Sequence, residues 1–175
     1  MAKIFEESDM LKEMNYHVFY YLLEGATDEE RVKYYLLKPQ DYRYLKQHEQ
    51  FSPEGVNEKY EFDRLRRAMS SVGFSTSTQS TIFGLISAVL LLGNISYISR
   101  HAYHSDENAY IENEEVVDLV AQLMHIKTEA LMQALTMKRH VMKTETVVTR
   151  FSVSEAINTR DAMAKCLYNA LFHYI

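Results

Sequence analysis

Residues 77–92 read STQSTIFGLISAVLLL. From Ile82 to Leu92 the run is apolar, broken only by Gly84 and Ser87. Spanning a bilayer takes about 20 apolar residues, so this run is too short and no membrane span is expected. It is apolar almost all round, as expected of a helix packed at the centre of a domain. Thr76-x-x-Gln79 has the pattern of a capping box, and Gly93 is the candidate C-cap. Just beyond, Ile95-Ser-Tyr-Ile98 alternates like a short strand.

Working outward, the same spacing logic predicts mainly helices. Before the central run, Leu11, Met14, Val18, Tyr21 and Leu22 recur at helical intervals over residues 10–23, and Gly25 is the expected stop. Thr27-Asp-Glu-Glu30 is a capping box that opens a short helix over residues 28–35, with Pro39 barring any continuation. Residues 47–58 are polar, contain Pro53 and Gly55, and read as a loop. Tyr60, Leu65, Ala68, Met69 and Val72 mark a further helix closed by Gly73. Residues 99–113 have no clean period and read as a long polar surface loop, the kind that usually serves a function. Two short helices follow at residues 114–123 and 128–135, then a β-branched segment, residues 137–149, that reads as a wide-tipped hairpin. Ser152-x-x-Glu155 is a third capping box. It opens a long helix with the apolar stripe Val153, Ile157, Ala164, Leu167, Leu171 and Ile175, interrupted by Arg160. This helix reaches the last residue without a stop signal, which suggests a chain that is part of something larger.

Composition narrows the function classes. Five glycines and two prolines in 175 residues are far fewer than a turn-rich sandwich or propeller uses, and none of the residues from Asn94 to Ile175 is Gly or Pro. No glycine loop for cradling phosphate fits in that half. Hydrophobic residues make up 47% of the chain, enough to bury a core, so disorder is excluded. A net charge of −5 argues against general nucleic-acid binding. The lone Cys166 permits no internal disulfide and reads as a small core residue. The acidic start of the chain carries no secretory signal pattern.

Among possible sites, His101 and His104 form an H-x-x-H, but the segment is not helical and no cysteine is near, so a metal site is not expected. Tyr16, Phe19, Tyr20 and Tyr21 sit at core spacings. The charged run Glu29-Glu30-Arg31 reads as a solvated helix face. The hairpin is different. Lys138, Arg139, Lys143 and Arg150 face a single carboxylate, Glu145, within an acidic chain. A basic, protruding tip of this kind suits docking on an acidic partner.

Three segments, in order, resemble the myosin motor domain. Asn15-Tyr-His-Val-Phe-Tyr-Tyr-Leu-Leu23 is similar to the family's N-[YF]-H-x-F-Y-x-L-L helix. Phe83-Gly-Leu-Ile-Ser-Ala-Val-Leu-Leu-Leu-Gly-Asn-Ile95 resembles its central helix ending in L-G-N. Arg160-Asp-Ala-Met-Ala-Lys-Cys-Leu-Tyr168 resembles its D-A-[LM]-A-K-x-[LV]-Y helix. Residues 35–45 and 62–74 look most like class-nine unconventional myosins. Residues 1–14 match the family poorly, and residues 15–175 resemble a partial motor domain.

The resemblance implies a mainly α fold. The stretch would lie between switch I and switch II, forming the helical upper 50-kDa subdomain and the start of the long helix toward switch II. The hairpin at residues 137–151 would correspond to the cardiomyopathy loop, and residues 99–113 to loop 4. It implies actin contacts at Lys138, Arg139, Lys143, Glu145 and Arg150, supported by Arg100, His101 and Asn108. Glu145 occupies the family's acidic or phosphorylatable position, here a permanent carboxylate. The implied partners are the actin filament and the remaining subdomains of the same motor, in the cytoplasmic actin cytoskeleton. The chain lacks G-x-x-x-x-G-K-[ST], N-x-x-S-S-R-F-G and D-x-x-G-F-E, so Mg-ATP would belong to the complete motor, with no catalytic or metal residue here. The rival reading is a stand-alone, non-enzymatic helical module, or a truncated product, that binds actin or a partner protein.

Overall fold

The structure, a computed structural model, describes residues 17–46, 57–101, 107–141 and 146–175. Helix α1 (His17–Gly25) leads to α2 (Asp28–Lys33), a single 3-10 turn at Pro39–Asp41, and α3 (Glu58–Ser71). The long α4 (Thr76–Asn94) precedes an antiparallel pair, β1 (Tyr97–His101) and β2 (Glu107–Ile111). Helices α5 (Glu114–Met124) and α6 (Thr128–Thr136) lead to a second antiparallel pair, β3 (Met137–Val141) and β4 (Thr146–Arg150). The chain ends in α7 (Val153–Tyr174).

Helix α4 is the axis, as its sequence predicts. Twelve of its nineteen residues are buried, and α5 and α7 pack along it. Leu90, Leu91 and Leu92 are each at most 1% exposed. Burying such a side chain fully contributes roughly 1.5–3 kcal/mol. By length and apolarity α4 could cross a membrane, but two-thirds of its most apolar stretch is buried within the fold. Helices α1 and α3 pack on each other, and the Phe62 ring of α3 meets the Phe83 ring of α4 at 4.9 Å. The Phe19 ring of α1 also sits 5.6 Å from Tyr168 of α7.

Local signals mostly act as read. Thr27 and Ser152 both form complete capping boxes with Glu30 and Glu155. Gly73, at φ +100°, ends α3 with Phe74 N–H donating to Met69 O, a left-handed stop that glycine adopts without strain. The cap of α4 is Ser75 rather than Thr76, its Oγ accepting from Thr78 N–H at 3.1 Å. The run Ser75-Thr-Ser-Thr78 offers a hydroxyl at every position, so pattern alone could not choose the register. Gln79 is thereby released from capping and buried. It donates to Ser70 Oγ and Phe74 O, fastening the end of α3 to the start of α4. Helix α2 stops at Lys33 rather than Tyr35, because Tyr35 turns left-handed at φ 53°. Leu36 N–H then closes back on Arg31 O, and the Tyr35 hydroxyl donates to Gln122 Oε1 at 2.7 Å.

Three expectations are corrected. Residues 99–113 are not simply a loop, since most of them form β1–β2. Among the described side chains of β2, Ala109 and Ile111 are the buried ones, so the apolar alternation is too sparse to announce strands. Cys166 is exposed, because the buried positions of α7 are Ala156, Arg160, Asp161, Ala164 and Leu171, a stripe that residue 166 lies off. Arg160 is no interruption of that stripe: it is 1% exposed and part of the core. Residues 1–16 and 47–56, with the expected start of the first helix and the Pro53/Gly55 loop, lie outside the described residues, as does His104.

Gly93 lies inside the last turn of α4 rather than capping it. A Cβ there would stand 2.7 Å from the Tyr44 ring, so glycine is what lets the loop at Asp41–Leu45 close on the helix. Gly84, in the middle of the same helix, has only Leu123 Cδ2 at 3.7 Å and Tyr34 Cδ1 at 3.9 Å in its way. Opposite outcomes are therefore expected from one chemical change. Gly84→Ala should stabilise the chain by roughly 0.5–1 kcal/mol through helix propensity. Gly93→Ala should cost about 1–3 kcal/mol through overpacking. Urea midpoints of the two variants check both signs.

Candidate functional site

Two structural features organise the chain around its two strand pairs. One is a buried polar node where α4 ends. Asn94 closes it: its side chain accepts from Arg43 N–H and donates to Asp41 O, while its carbonyl accepts from Asn113 Nδ2, each at 2.9 Å. From α7, Arg160 donates through Nη1 to Ile95 O at 2.7 Å and through Nε to Asp161 Oδ1 at 2.8 Å. Nη2 lies 2.6 Å from the same oxygen, within ion-pair range but out of line for a further hydrogen bond. The Tyr44 hydroxyl donates to Asp161 Oδ1 at 2.7 Å. Burial, followed by that bond to a carboxylate, drives the Tyr44 phenol far above its ordinary range. Burial also pushes the Tyr97 phenol up to about 12. One helix turn of α7 thus holds the end of α4, the Tyr44 loop and the start of the first hairpin.

The second feature is the joining of the two hairpins. The sequence placed their residues in two separate elements. Asn108 of β2 bridges to Ser152, Ala109 N–H donates to Phe151 O at 2.8 Å, and Phe151 N–H donates to Thr136 O at 2.9 Å. The Arg150 guanidinium lies 4.4 Å over the Tyr110 ring, a cation–π contact from β4 to β2. Of the expected docking residues, Arg100 and Asn108 pair in register across β1–β2, and His101 pairs with Glu107. Lys138, Arg139 and Arg150 share β3–β4, opposite Thr149, Val148 and Met137 respectively. Lys143 and Glu145 lie outside the described residues.

Strand alternation sends neighbouring hairpin cations to opposite faces. Arg139 is exposed beside Val148, which is 51% exposed, and no ion-pair partner of Arg139 is found among the described residues. Together with Met137 they line a hollow of about 560 Å³ against Ala130, Gln133 and Ala134 of α6. Lys138 turns the other way, its Nζ 2.6 Å from Glu155 Oε1 and 6.0 Å from the Phe151 ring centre. Glu155 is the residue sequence reasoning missed here. Its capping-box role was legible, but its second oxygen was not assigned to the hairpin.

The Glu155 carboxyl is held down to about 2, first by the hydrogen bond from Lys138 and then by the backbone N–H of Ser152. A depressed carboxyl contributes stability that is fully present above the ordinary value of 4.5 and lost as pH falls through about 2. The clasp should therefore stay closed through the neutral and mildly acidic range. A carboxyl-carbon NMR titration is expected to show Glu155 still ionised at about pH 3.5, with Lys138→Met moving its midpoint back toward the ordinary range. A wild-type midpoint near the ordinary value would refute the contact.

The structure is a mainly helical frame carrying two joined strand pairs at the start of one long helix. Sequence comparison gives the frame its family: the chain matches the myosin head (motor domain) family over residues 6–175 and belongs to it. It is 45% identical over 163 residues to unconventional myosin-IXb of Rattus norvegicus, covering 93% of this chain and 8% of that protein. It is 41% identical over 180 residues to unconventional myosin-IXAa of Danio rerio, covering 93% of this chain and 7% of that protein. The myosin-I heavy chain of Dictyostelium discoideum is 34% identical over 163 residues, with the same coverage of 93% and 7%. The resemblance to class-nine myosins read from residues 35–45 and 62–74 is thus matched by relatives of that class. The chain spans less than a tenth of each of these proteins.

Proposed function

We propose that this chain supplies the actin-facing frame of an ATP-driven myosin motor, corresponding to the helical upper 50-kDa subdomain, with the motor resemblance running from Asn15 to Ile175. The hairpin β3–β4 occupies the place of the cardiomyopathy loop and β1–β2 that of loop 4. The observation that carries this reading is the fusion of both hairpins at Phe151–Ser152, with Arg139 exposed on the outer one. In this reading the partner is the actin filament in the cytoplasm, and the other motor subdomains complete the machine. Helix α7, with 22 residues, is about 33 Å long and joins the hairpin base to the far end of the domain. Actin binding and nucleotide state would each bias the position of such an element, and only the actin side is on this chain.

None of the five glycines lies in a G-x-x-x-x-G-K-[ST] pattern, so this reading leaves nucleotide chemistry to the rest of the motor. Cosedimentation with filamentous actin tests the reading. Neutralising Lys138, Arg139 and Lys143 together is expected to weaken binding several-fold at low salt, and the gap should narrow as salt is raised. Equal binding by wild type and the neutralised variant at every salt concentration would overturn the assignment. In a complete motor, Glu145→Ala is expected to lower actin activation while leaving nucleotide binding alone.

A further inference from the structure

Among the described residues the hairpin cations divide into two kinds, and the division assigns a role to a residue outside the hairpin. Lys138 and Arg150 are both engaged with the chain's own elements, Lys138 with Glu155 of α7 and Arg150 with Tyr110 of β2. Glu155 uses both oxygens: Oε2 accepts Ser152 N–H at 2.8 Å, and Oε1 accepts Lys138 Nζ at 2.6 Å. Only Phe151 and Ser152 separate β4 from α7, so the hairpin could swing about this joint. The hydrogen bonds of Phe151 to Thr136 and Ala109 hold the joint itself. The Lys138–Glu155 pair crosses it, tying the partner strand β3 to the first turn of α7.

We infer that Glu155 is a positioning residue for hairpin β3–β4: through Lys138 it fixes the angle between hairpin and α7, leaving Arg139 as the outward cation among the described residues. An exposed ion pair adds little to global stability, but its stabilisation need not be large to set an angle. Glu155 is already held by the helix cap, so Lys138 closes on a carboxylate whose rotamer is fixed. The functional consequence rests on the actin-docking reading above; the geometry does not.

Glu155→Gln separates the two roles of this side chain. Its amide oxygen still accepts the Ser152 N–H, so the cap survives, but the charge that holds Lys138 is gone. Amide hydrogen exchange and actin cosedimentation would be measured on the full chain for wild type, Glu155→Gln, Lys138→Met, Lys138→Arg and Arg139→Gln. Exchange in β3 and β4 is expected to rise about three-fold in Glu155→Gln and Lys138→Met, with no further rise when the two are combined, and to stay at wild-type rates in Lys138→Arg. The amides of α7 should be unaffected. Actin binding should fall about three-fold in Glu155→Gln, while Arg139→Gln lowers binding without changing exchange. Unchanged hairpin exchange in Glu155→Gln overturns the inference, as does a rise in α7 equal to that in the hairpin, which would make Glu155 a cap alone. If wild type fails to bind actin, the docking reading falls and hairpin exchange still decides the role of Glu155.

Discussion

Asp161→Ala is expected to destabilise the folded chain by about 3–5 kcal/mol at neutral pH, a large part of the stability of an ordinary domain. The cost does not come from losing a favourable ion pair, because a buried pair only about breaks even against its desolvation. It comes from what stays behind. The Arg160 guanidinium, 1% exposed, would keep its charge with no carboxylate beside it, and the Tyr44 hydroxyl would lose its acceptor in the same buried space. Asp161→Asn should cost less, since an amide oxygen can still accept from Tyr44. Replacing Arg160 by Met and Asp161 by Leu together should cost less than Asp161→Ala alone, because no charge is then stranded. Urea denaturation of the three variants checks the order. A loss below about 1 kcal/mol for Asp161→Ala would mean that water reaches the node when the carboxylate is removed.

The same node shows where sequence reading stops. The helices were legible because their evidence is local: Thr27 and Glu30, Ser152 and Glu155, and the apolar run of α4 each lie within a turn or two of the feature they specify. Arg160 and Asp161 were quoted as part of a recognisable string, yet by periodicity Arg160 looked like a flaw in an apolar stripe. What makes it a core residue is Ile95 O, 65 residues away, and Tyr44, which is 117 residues from Asp161. No window of sequence holds those partners. Gly93 was read as a helix stop for the same reason, since the Tyr44 ring that demands a missing side chain is distant in the chain. The hairpin cations follow this rule too. Their charge was plain, but the split between Arg139 facing outward and Lys138 facing Glu155 depends on strand register and on how α7 begins. The strand read at Ile95–Ile98 overlaps β1 only at Tyr97 and Ile98, and the rest of β1 and all of β2 escaped notice because the pair is held by backbone bonds and buries little apolar surface.

The Phe62–Phe83 ring pair joins α3 to α4 beside the Gln79 fastening, and Phe62→Ala is expected to cost about 3–5 kcal/mol. Phe62 has no exposed surface and sits 4.9 Å from the Phe83 ring at 53°, a tilted pair of the kind that adds about 0.5–1.5 kcal/mol beyond its area. The Arg66 guanidinium lies over the Phe62 ring at 5.5 Å and is itself fixed by Glu30 at 2.8 Å, which limits how far the space can collapse. A double-mutant cycle with Phe83→Ala should return a coupling of that aromatic size, whereas Phe172→Ala, at a site 70% exposed, should stay within about 0.5 kcal/mol of wild type. Gly25 supplies a sharper check on the packing. A Cβ at that position would stand 2.4 Å from Phe62 Cβ, and Phe62→Ala leaves that atom in place. Gly25→Ala should therefore remain destabilising in the Phe62→Ala background and be relieved only by Phe62→Gly. Relief by Phe62→Ala alone would show that the ring rather than the backbone separation sets the distance between α1 and α3.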